Sequence, residues 1–505
     1  MHTLVERSLD SIVPRALYGA MRRVIVLCLL LLAVASVAVA REASSSPAVS
    51  DGRKPNIIFV LADDLGYGDL GCYGQLRIKT PSIDRLASEG LRFTQAYAGG
   101  TVCAPSRCVL MTGLHGGHAR VRGNTEAIQA RASLQSDDVT VASVLKDAGY
   151  ATGLVGKWGL GESTRNEQGL PRRQGFDYFF GYLKHGHAHN YYPDFLWRNE
   201  SIVKLPNVIS KNPAHKRNVA EKQVQYSHDL FAEEALQFVR DHRDEPFFLY
   251  LAFTIPHANN EAGEAGMEVP DHGAYAKLDW PEAQKGHAAM ITRMDRDIGR
   301  LLDLLGELRL DDNTLVIFAS DNGPHREGAM DPDFNDSNGP LRGYKGNLTE
   351  GGIRVPMIAR WPGRVPAGKT SASPVYFADV MPTLAALGGG RAPDGIDGVD
   401  FSPTLLGSNQ PELADRFLYW EWNKGGLQQQ AARWRNWKAI RDPHSKSLEL
   451  HNLDTDIGET RNLAAEHPGI VAKFDNYFRT ARTDTPDWPV TVALNRVKSA
   501  TASTP

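Results

Sequence analysis

Hydrophobic positions along the chain fall into three kinds of run. The first is continuous. Residues 57–62 read IIFVLA, 247–253 read FFLYLAF and 315–319 read LVIFA. Runs of this length without polar alternation predict strands buried on both faces, as in a parallel sheet, and 150–155 predicts another strand. The second kind has helical spacing. Met290, Ile291, Met294, Ile298, Leu301, Leu302, Leu305 and Leu308 lie on one stripe, which predicts a core-facing helix. Helices are also predicted over 226–242, 375–387 and 470–481, and over 136–148 with Val139, Val141, Val144 and Leu145 inward. The third kind is short and rich in aromatic and β-branched residues, at 417–422, 432–441 and 448–453, and predicts an antiparallel sheet. Residues 197–217 read as an irregular polar loop and 259–280 as an insertion. The expected fold is therefore α/β. A large, mostly parallel central sheet flanked by helices is followed by a smaller C-terminal antiparallel sheet packed by a helix. Composition turns to Gly, Pro and Asp near residue 388. That places a main domain at 55–388, a C-terminal subdomain at 389–485 and a tail at 486–505.

Composition adds limits. The 505 residues are 42% hydrophobic and 23% charged, ordinary values for a chain with a sizeable core. A formal net charge of −3 gives no case for nucleic acid or a membrane surface as partner. At the N-terminus Arg22 and Arg23 precede an apolar stretch that ends in Ala38-Val39-Ala40. This is the pattern of a cleaved export signal over 1–40, with a Ser/Ala/Pro-rich linker at 41–54. A transmembrane anchor is the alternative, but the stretch is short for one. The four cysteines, at 28, 72, 103 and 108, are too few for a disulfide framework, and their spacing matches no metal finger. Cys72 and Cys108 are left either to pair or to stay free.

Chemistry concentrates in a few places. Residues 101–112 read TVCAPSRCVLMT. Pro105 suits the first turn of a helix and Gly113 its end, so Cys103 is expected at a helix N-terminus, where free N–H groups and the dipole favour an anion. Arg107, one turn on, adds a fixed positive charge. Such a cysteine reads as a reactive thiol beside an anion site, against the common alternative of a buried structural cysteine. Two of the buried strands end in acid: 57–62 in Asp63-Asp64 and 315–320 in Asp321-Asn322. Carboxylates at the edge of a buried strand are costly unless paired or bound to a cation. Three carboxylates and an amide oxygen meeting at one sheet edge suit Ca²⁺, and Mg²⁺ less well, whereas taken singly each pair could be a turn or helix cap. Lys157 in GKWGLG, the histidines 185, 187 and 189, His257 after the 247–253 run, and Lys345 in LRGYKG all fall at presumed strand ends or glycine-rich turns.

The C-x-P-S-R pentapeptide at 103–107 resembles the type I sulfatase signature. The DD and DNG segments, the phrases PSIDRLA, GKWGLG, LRGYKG and GGIRVP, and the closing DIGETRNLA extend that resemblance over nearly the whole mature chain. The resemblance implies the alkaline-phosphatase-like sulfatase fold, and conversion of Cys103 to formylglycine (3-oxoalanine) by a formylglycine-generating enzyme. It implies one cation, Ca²⁺ ahead of Mg²⁺, held by Asp63, Asp64, Asp321, Asn322 and residue 103. Cys103, Arg107, Lys157 and His257 are implied as catalytic residues. Lys345, Lys157 and His257 are implied as sulfate contacts. One departure stands out: the family reads GKWHLG where this chain has Gly159, and His189, in an AHNYYP phrase shared with GKWGLG sulfatases, is the expected replacement.

The mechanism so implied is attack on sulfur by one hydroxyl of hydrated formylglycine. Charge on the sulfuryl group is offset by the metal, Lys157, Lys345 and Arg107, and His257 protonates the departing alcohol. The second hydroxyl then lets the sulfated diol collapse and expel sulfate. The expected substrate is a sulfated small molecule or glycan. Competing readings are a phosphonate or phosphodiester hydrolase of the same superfamily, and a non-catalytic sulfated-glycan binder, which Gly159 would suit. A thiol enzyme using Cys103 directly lacks a recognisable His or Asn partner.

Overall fold

The computed structural model describes residues 53–124, 133–162, 167–424, 426–445 and 447–489. The expected export signal and most of the linker lie outside them. Eleven strands form the main sheet: β1 (Asn56–Asp63), β2 (Leu91–Tyr97), β3 (Ala151–Lys157), β4 (Tyr178–Tyr182), β5 (Phe195–Arg198), β6 (Ser201–Lys204), β9 (Phe247–Pro256), β10 (Thr314–Ser320), β11 (Arg354–Arg360), β12 (Lys369–Ser371) and β13 (Val375–Tyr376). Their order is β12-β2-β11-β10-β1-β9-β3-β4-β5-β6, with β13 beside β2. The central strands β10, β1, β9, β3 and β4 run parallel, and antiparallel strands flank them. All eight residues of β1 and all ten of β9 are buried, as a continuous apolar run demands of a strand covered on both faces. Along β1 the side chains divide alternately: Ile57, Phe59 and Leu61 enter one hydrophobic core, while Ile58, Val60 and Ala62 enter the other.

The helices cover both faces: α1 (Pro81–Ser88), α2 (Cys103–Thr112), α3 (Val141–Asp147), α4 (Ser227–Asp241), α5 (Glu282–Glu307) and α6 (Val380–Gly388). A four-stranded antiparallel sheet, β14 (Phe417–Asn423), β15 (Leu427–Trp434), β16 (Trp437–Arg441) and β17 (Leu448–Asn452), is packed by α7 (Pro468–Thr480) through Phe474 and Phe478. A small ribbon pairs β7 (Val208–Ile209) with β8 (Ala220–Lys222). The described residues from Lys54 onward form one compact unit, so the division near residue 388 separates sheets within it. Among the described residues no helix is long and apolar enough to cross a membrane.

Four expectations are corrected. The helix predicted from Ser136 begins at Val141: Arg120 binds Asp137 and Asp138 ahead of it, Thr140 and Ser143 form a capping box, and Val139 is left 43% exposed. The stretch at 197–217 is no irregular loop. It contains the β5–β6 hairpin, whose two-residue turn places Asn199 at φ 54°, and β7. Residues 432–441 form two strands rather than one, because the chain reverses at Arg435 (φ 55°). The tail at 486–505 begins too early, since Trp488 is buried and its Nε1 donates to the Arg120 carbonyl (2.8 Å). Cys72 and Cys108 are both free.

Candidate active site

Four segments deliver the site to the C-terminal edge of the parallel strands. Consecutive residues of a strand point to opposite faces. Asp63 and Asp64 would therefore diverge, but Asp64 leaves β1 in the left-handed region (φ 65°), an unusual state for a non-glycine residue. Ligating atoms of Asp63, Asp64, Cys103 and His257 consequently lie within 4.8 Å of one another. Asp321 joins them from the end of β10. Its Oδ1 accepts the Asp64 backbone N–H (3.0 Å), and its Oδ2 accepts from Arg107 Nη2 (2.8 Å) and Nε (3.0 Å). Asn322 Nδ2 donates to Asp64 Oδ1 (2.6 Å).

All three carboxylates are buried. Burial raises the Asp64 pKa, and burial together with the Asp63 carboxylate raises that of Asp321 to about 7. For Asp63 the same burial is outweighed by Lys157 and Arg107, which hold it low. Such crowding of like charge calls for a cation. Two acceptors of these residues, Asp63 Oδ1 and Asn322 Oδ1, are buried without a hydrogen-bond partner. Hard oxygen donors left open beside two further carboxylates fit a hard divalent cation.

Three cations surround these acids. Lys157 Nζ donates to Asp63 Oδ2 (2.6 Å). Lys345 Nζ lies 2.8 Å from Asp64 Oδ2, 2.9 Å from Glu327 Oε2 and 2.9 Å from His257 Nε2. Arg107 Nη1 also donates to the Lys157 carbonyl (2.9 Å), so its guanidinium is engaged in holding Asp321 and the end of β3. His257 Nδ1 donates to the Ala258 carbonyl (2.5 Å), which leaves Nε2 as the acceptor for Lys345. Burial and the nearby Lys345 ammonium keep this imidazole neutral to well below its ordinary range.

Cys103 opens α2 as anticipated, with extended Val102 before it and Gly113 (φ 70°) after it. The reactive-thiol reading fares less well. The side chain is fully buried, and burial pushes the thiol up to about 12 despite the Lys157 ammonium. A thiolate is therefore disfavoured. Asn124 Oδ1 accepts the Ala104 N–H (3.1 Å), and its Nδ2 lies 3.6 Å from Cys103 Sγ and 3.2 Å from His185 Nε2.

Sequence reasoning passed over His185 and Asn124. His185 Nε2 is 3.8 Å from the Cys103 sulfur. Gly159 sits at φ 75°, and a Cβ built there would lie 4.0 Å from His185 Nδ1. The imidazole of His185 thus fills the space in front of the glycine. His189, the expected replacement, stands one place back. It stacks on His257 (4.9 Å between ring centres) and its Nδ1 pairs with Glu261 Oε2 (3.1 Å) from the 259–280 segment. His187 turns away, to Tyr182 and Phe195. Three histidines at alternate positions carried no signal to choose among them; the short helical turn Gly186–His189 made the choice.

A buried strand-edge constellation of carboxylates, lysines and histidines around a helix-opening residue is that of a hydrolytic enzyme built on the alkaline phosphatase superfamily fold. Residues 55–390 match the family model described as Sulfatase, and residues 344–480 match one described as N-sulphoglucosamine sulphohydrolase, C-terminal. The chain is 35% identical to human arylsulfatase A over 382 residues, which is 73% of this chain and 71% of that one. It is 30% identical to an N-acetylgalactosamine-6-O-sulfatase of Bacteroides thetaiotaomicron over 509 residues, covering 86% and 94%. A solved structure of Ps i-CgsB in complex with k-i-k-neocarrahexaose superposes with a TM-score of 0.72 at 30% identity, over 89% of this chain and 98% of that one. The chain belongs to the sulfatase family, type I, and is a sulfuric ester hydrolase.

Proposed function

We propose that this sulfatase acts after export, on a sulfated carbohydrate, with residue 103 as formylglycine and one Ca²⁺ held by Asp63, Asp64, Asp321, Asn322 and residue 103. The observation that carries the metal assignment is the convergence of ligating atoms of Asp63, Asp64, Cys103 and His257 within 4.8 Å of one another, with Asp63 Oδ1 and Asn322 Oδ1 buried and unpartnered. The carbohydrate is supported by two of the proteins above, one named for N-acetylgalactosamine-6-O-sulfate and one bound to a neocarrahexaose. When bound, the cation supplies positive charge to a sulfuryl oxygen and to the attacking hydroxyl.

The chain's own residues do the rest. Lys157 and Lys345 present ammonium groups toward the sulfuryl oxygens, where charge develops. Arg107 fixes Asp321 and so keeps the carboxylates in register. His257 Nε2 and Lys345 Nζ share a hydrogen bond of 2.9 Å, and this pair stands as the proton source for the departing alcohol. His185 and Asn124 hold the hydroxyls of residue 103 in orientation.

Elemental analysis and peptide mass spectrometry test this reading together. The mature protein is expected to carry about one Ca²⁺ per chain and formylglycine at 103, and to turn over 4-nitrophenyl sulfate. Asp321→Ala should lose the metal. An unmodified cysteine in native enzyme that hydrolyses the ester would overturn the nucleophile, and undiminished metal in Asp321→Ala would overturn the shared site.

A further inference from the structure

A cleft of about 580 Å³ opens from the active site. Its inner wall is Lys345 and Asn124; its outer wall is Arg326, Tyr344, Trp422 and Lys424. Two of these come from the smaller sheet. Trp420 and Trp422 alternate along β14 and so share a face. Trp420 is buried, donating Nε1 to the Ala98 carbonyl (2.8 Å), whereas Trp422 is half-buried at the cleft. The β14–β15 register shifts between Trp422 and Asn423, a bulge of the sort that re-aims side chains beside active sites. In the same lining, the Arg326 guanidinium lies 4.1 Å over the Tyr344 ring and pairs with Asp333 (3.0 Å).

The charges at the cleft differ in how they are used. Inside, Lys157 is taken by Asp63, Lys345 by Asp64 and Glu327, and Arg107 by Asp321. At the rim Lys424 is exposed and forms no ion pair among the described residues. An aromatic platform next to an uncommitted ammonium, lining the same cleft as Lys345 and Asn124, suits an anionic saccharide. Resting on the sulfatase reading above, we infer that Trp422 and Lys424 form a subsite for a second anionic group, sulfate or carboxylate, on the sugar residue adjoining the one that loses its sulfate. Trp422 stacks on that sugar and Lys424 binds its anion. The preferred substrate is then a polyanionic oligosaccharide rather than a singly sulfated one.

Steady-state kinetics on four compounds test this: 4-nitrophenyl sulfate, a disaccharide with one sulfate, the same disaccharide with a second sulfate on the adjoining residue, and a monosulfated disaccharide whose adjoining residue is a uronate. A charge-assisted contact is worth about tenfold or more in affinity. Wild-type enzyme should prefer at least one dianionic sugar over the neutral-partner sugar by about tenfold in kcat/KM, mostly through KM. Which of the two is preferred distinguishes sulfate from carboxylate. In Lys424→Ala that preference should fall to about twofold, and Lys424→Arg should restore most of it. Trp422→Ala should raise KM for all three sugars. Turnover of 4-nitrophenyl sulfate with no preference among the sugars, or a preference unchanged in Lys424→Ala, overturns the subsite and leaves the sulfatase reading standing. No turnover of any of the four by protein carrying formylglycine at 103 overturns both.

Discussion

Residue 103 gains its character from its neighbours rather than from its own acidity. A thiol raised to about 12 by burial is inert at neutral pH, which favours the proposed formylglycine over the cysteine itself as nucleophile. Cys103→Ala is expected to cut turnover by about 10³-fold or more while the melting temperature barely moves. Near wild-type turnover in that variant would rule out residue 103 as the nucleophile. His185 makes the second prediction at this scale. Its imidazole faces the Cys103 sulfur where Gly159 offers no side chain. His185→Ala should lower kcat about 10²-fold with formylglycine still present at 103, whereas His189→Ala, one ring further back, should cost less. A larger loss in His189→Ala than in His185→Ala would mean that the sequence-based choice of His189 was the better one. The residue types of the site were legible only in combination, since each acidic pair alone could be a turn or helix cap and only two such strand ends together with the Cys103 segment suggest one site. The left-handed turn at Asp64 was not readable, since nothing about an Asp-Asp pair announces that both side chains will face one way.

At the scale of elements, the two sheets meet through apolar residues such as Leu418, Trp420, Ala431 and Ile440, and through a buried ionic network. Lys438 on β16 places Nζ 2.9 Å from Glu350 Oε1 and 2.9 Å from Glu459 Oε1. Glu350 Oε2 also accepts from Tyr97 (2.7 Å) and from Arg354 (3.1 Å). Glu350 follows the loop that carries Lys345, so this network fixes a site lysine from behind. Removing one member strands buried charge. Glu350→Ala is expected to lose roughly 3 kcal/mol in urea denaturation, the low end of the usual range because Glu459 still pairs with Lys438. A loss below roughly 1 kcal/mol would show the network to be dispensable. Pattern reading located the buried strands and the long helix, whose periodicity is set by the core. It missed the β5–β6 hairpin, whose four-residue strands FLWR and SIVK are too short to show alternation and where the backbone at Asn199 makes the turn. It also overran the start of α3, where Asp137 and Asp138 bind Arg120 instead of entering the helix.

For the whole molecule, the buried ionisable groups set the response to acid. His115 is held at about 4, chiefly by burial against the pull of Asp397, while in the unfolded chain it titrates near 6.5. The unfolded state therefore binds more protons between those values, and stability falls as pH drops from about 6.5 to about 4. Glu350, held at about 2 by Lys438 and Arg354 in spite of its burial, stabilises the fold above about 4.5 and loses that contribution as pH falls toward 2. Each group is worth on the order of 3 kcal/mol over its window. Melting temperatures taken from pH 7.5 to about 3.5 for wild type and His115→Gln isolate the histidine: the wild type should lose stability relative to the variant as pH falls from about 6.5 to about 4. A difference between the two that does not change over that window would contradict this assignment.

The ionic tie between Lys438 and Glu350 also bears on how such enzymes can be recombined. A breeder of chimeras who cuts near residue 390 to exchange cleft walls between relatives would bring a foreign partner to Glu350, unless the donor supplies a lysine at the place of Lys438. Hybrids split there inherit a mismatched seam, and the lysine at 345 loses its backing with it. The segment that can be transplanted intact runs from before Tyr344, so that both ends of the seam travel in one piece.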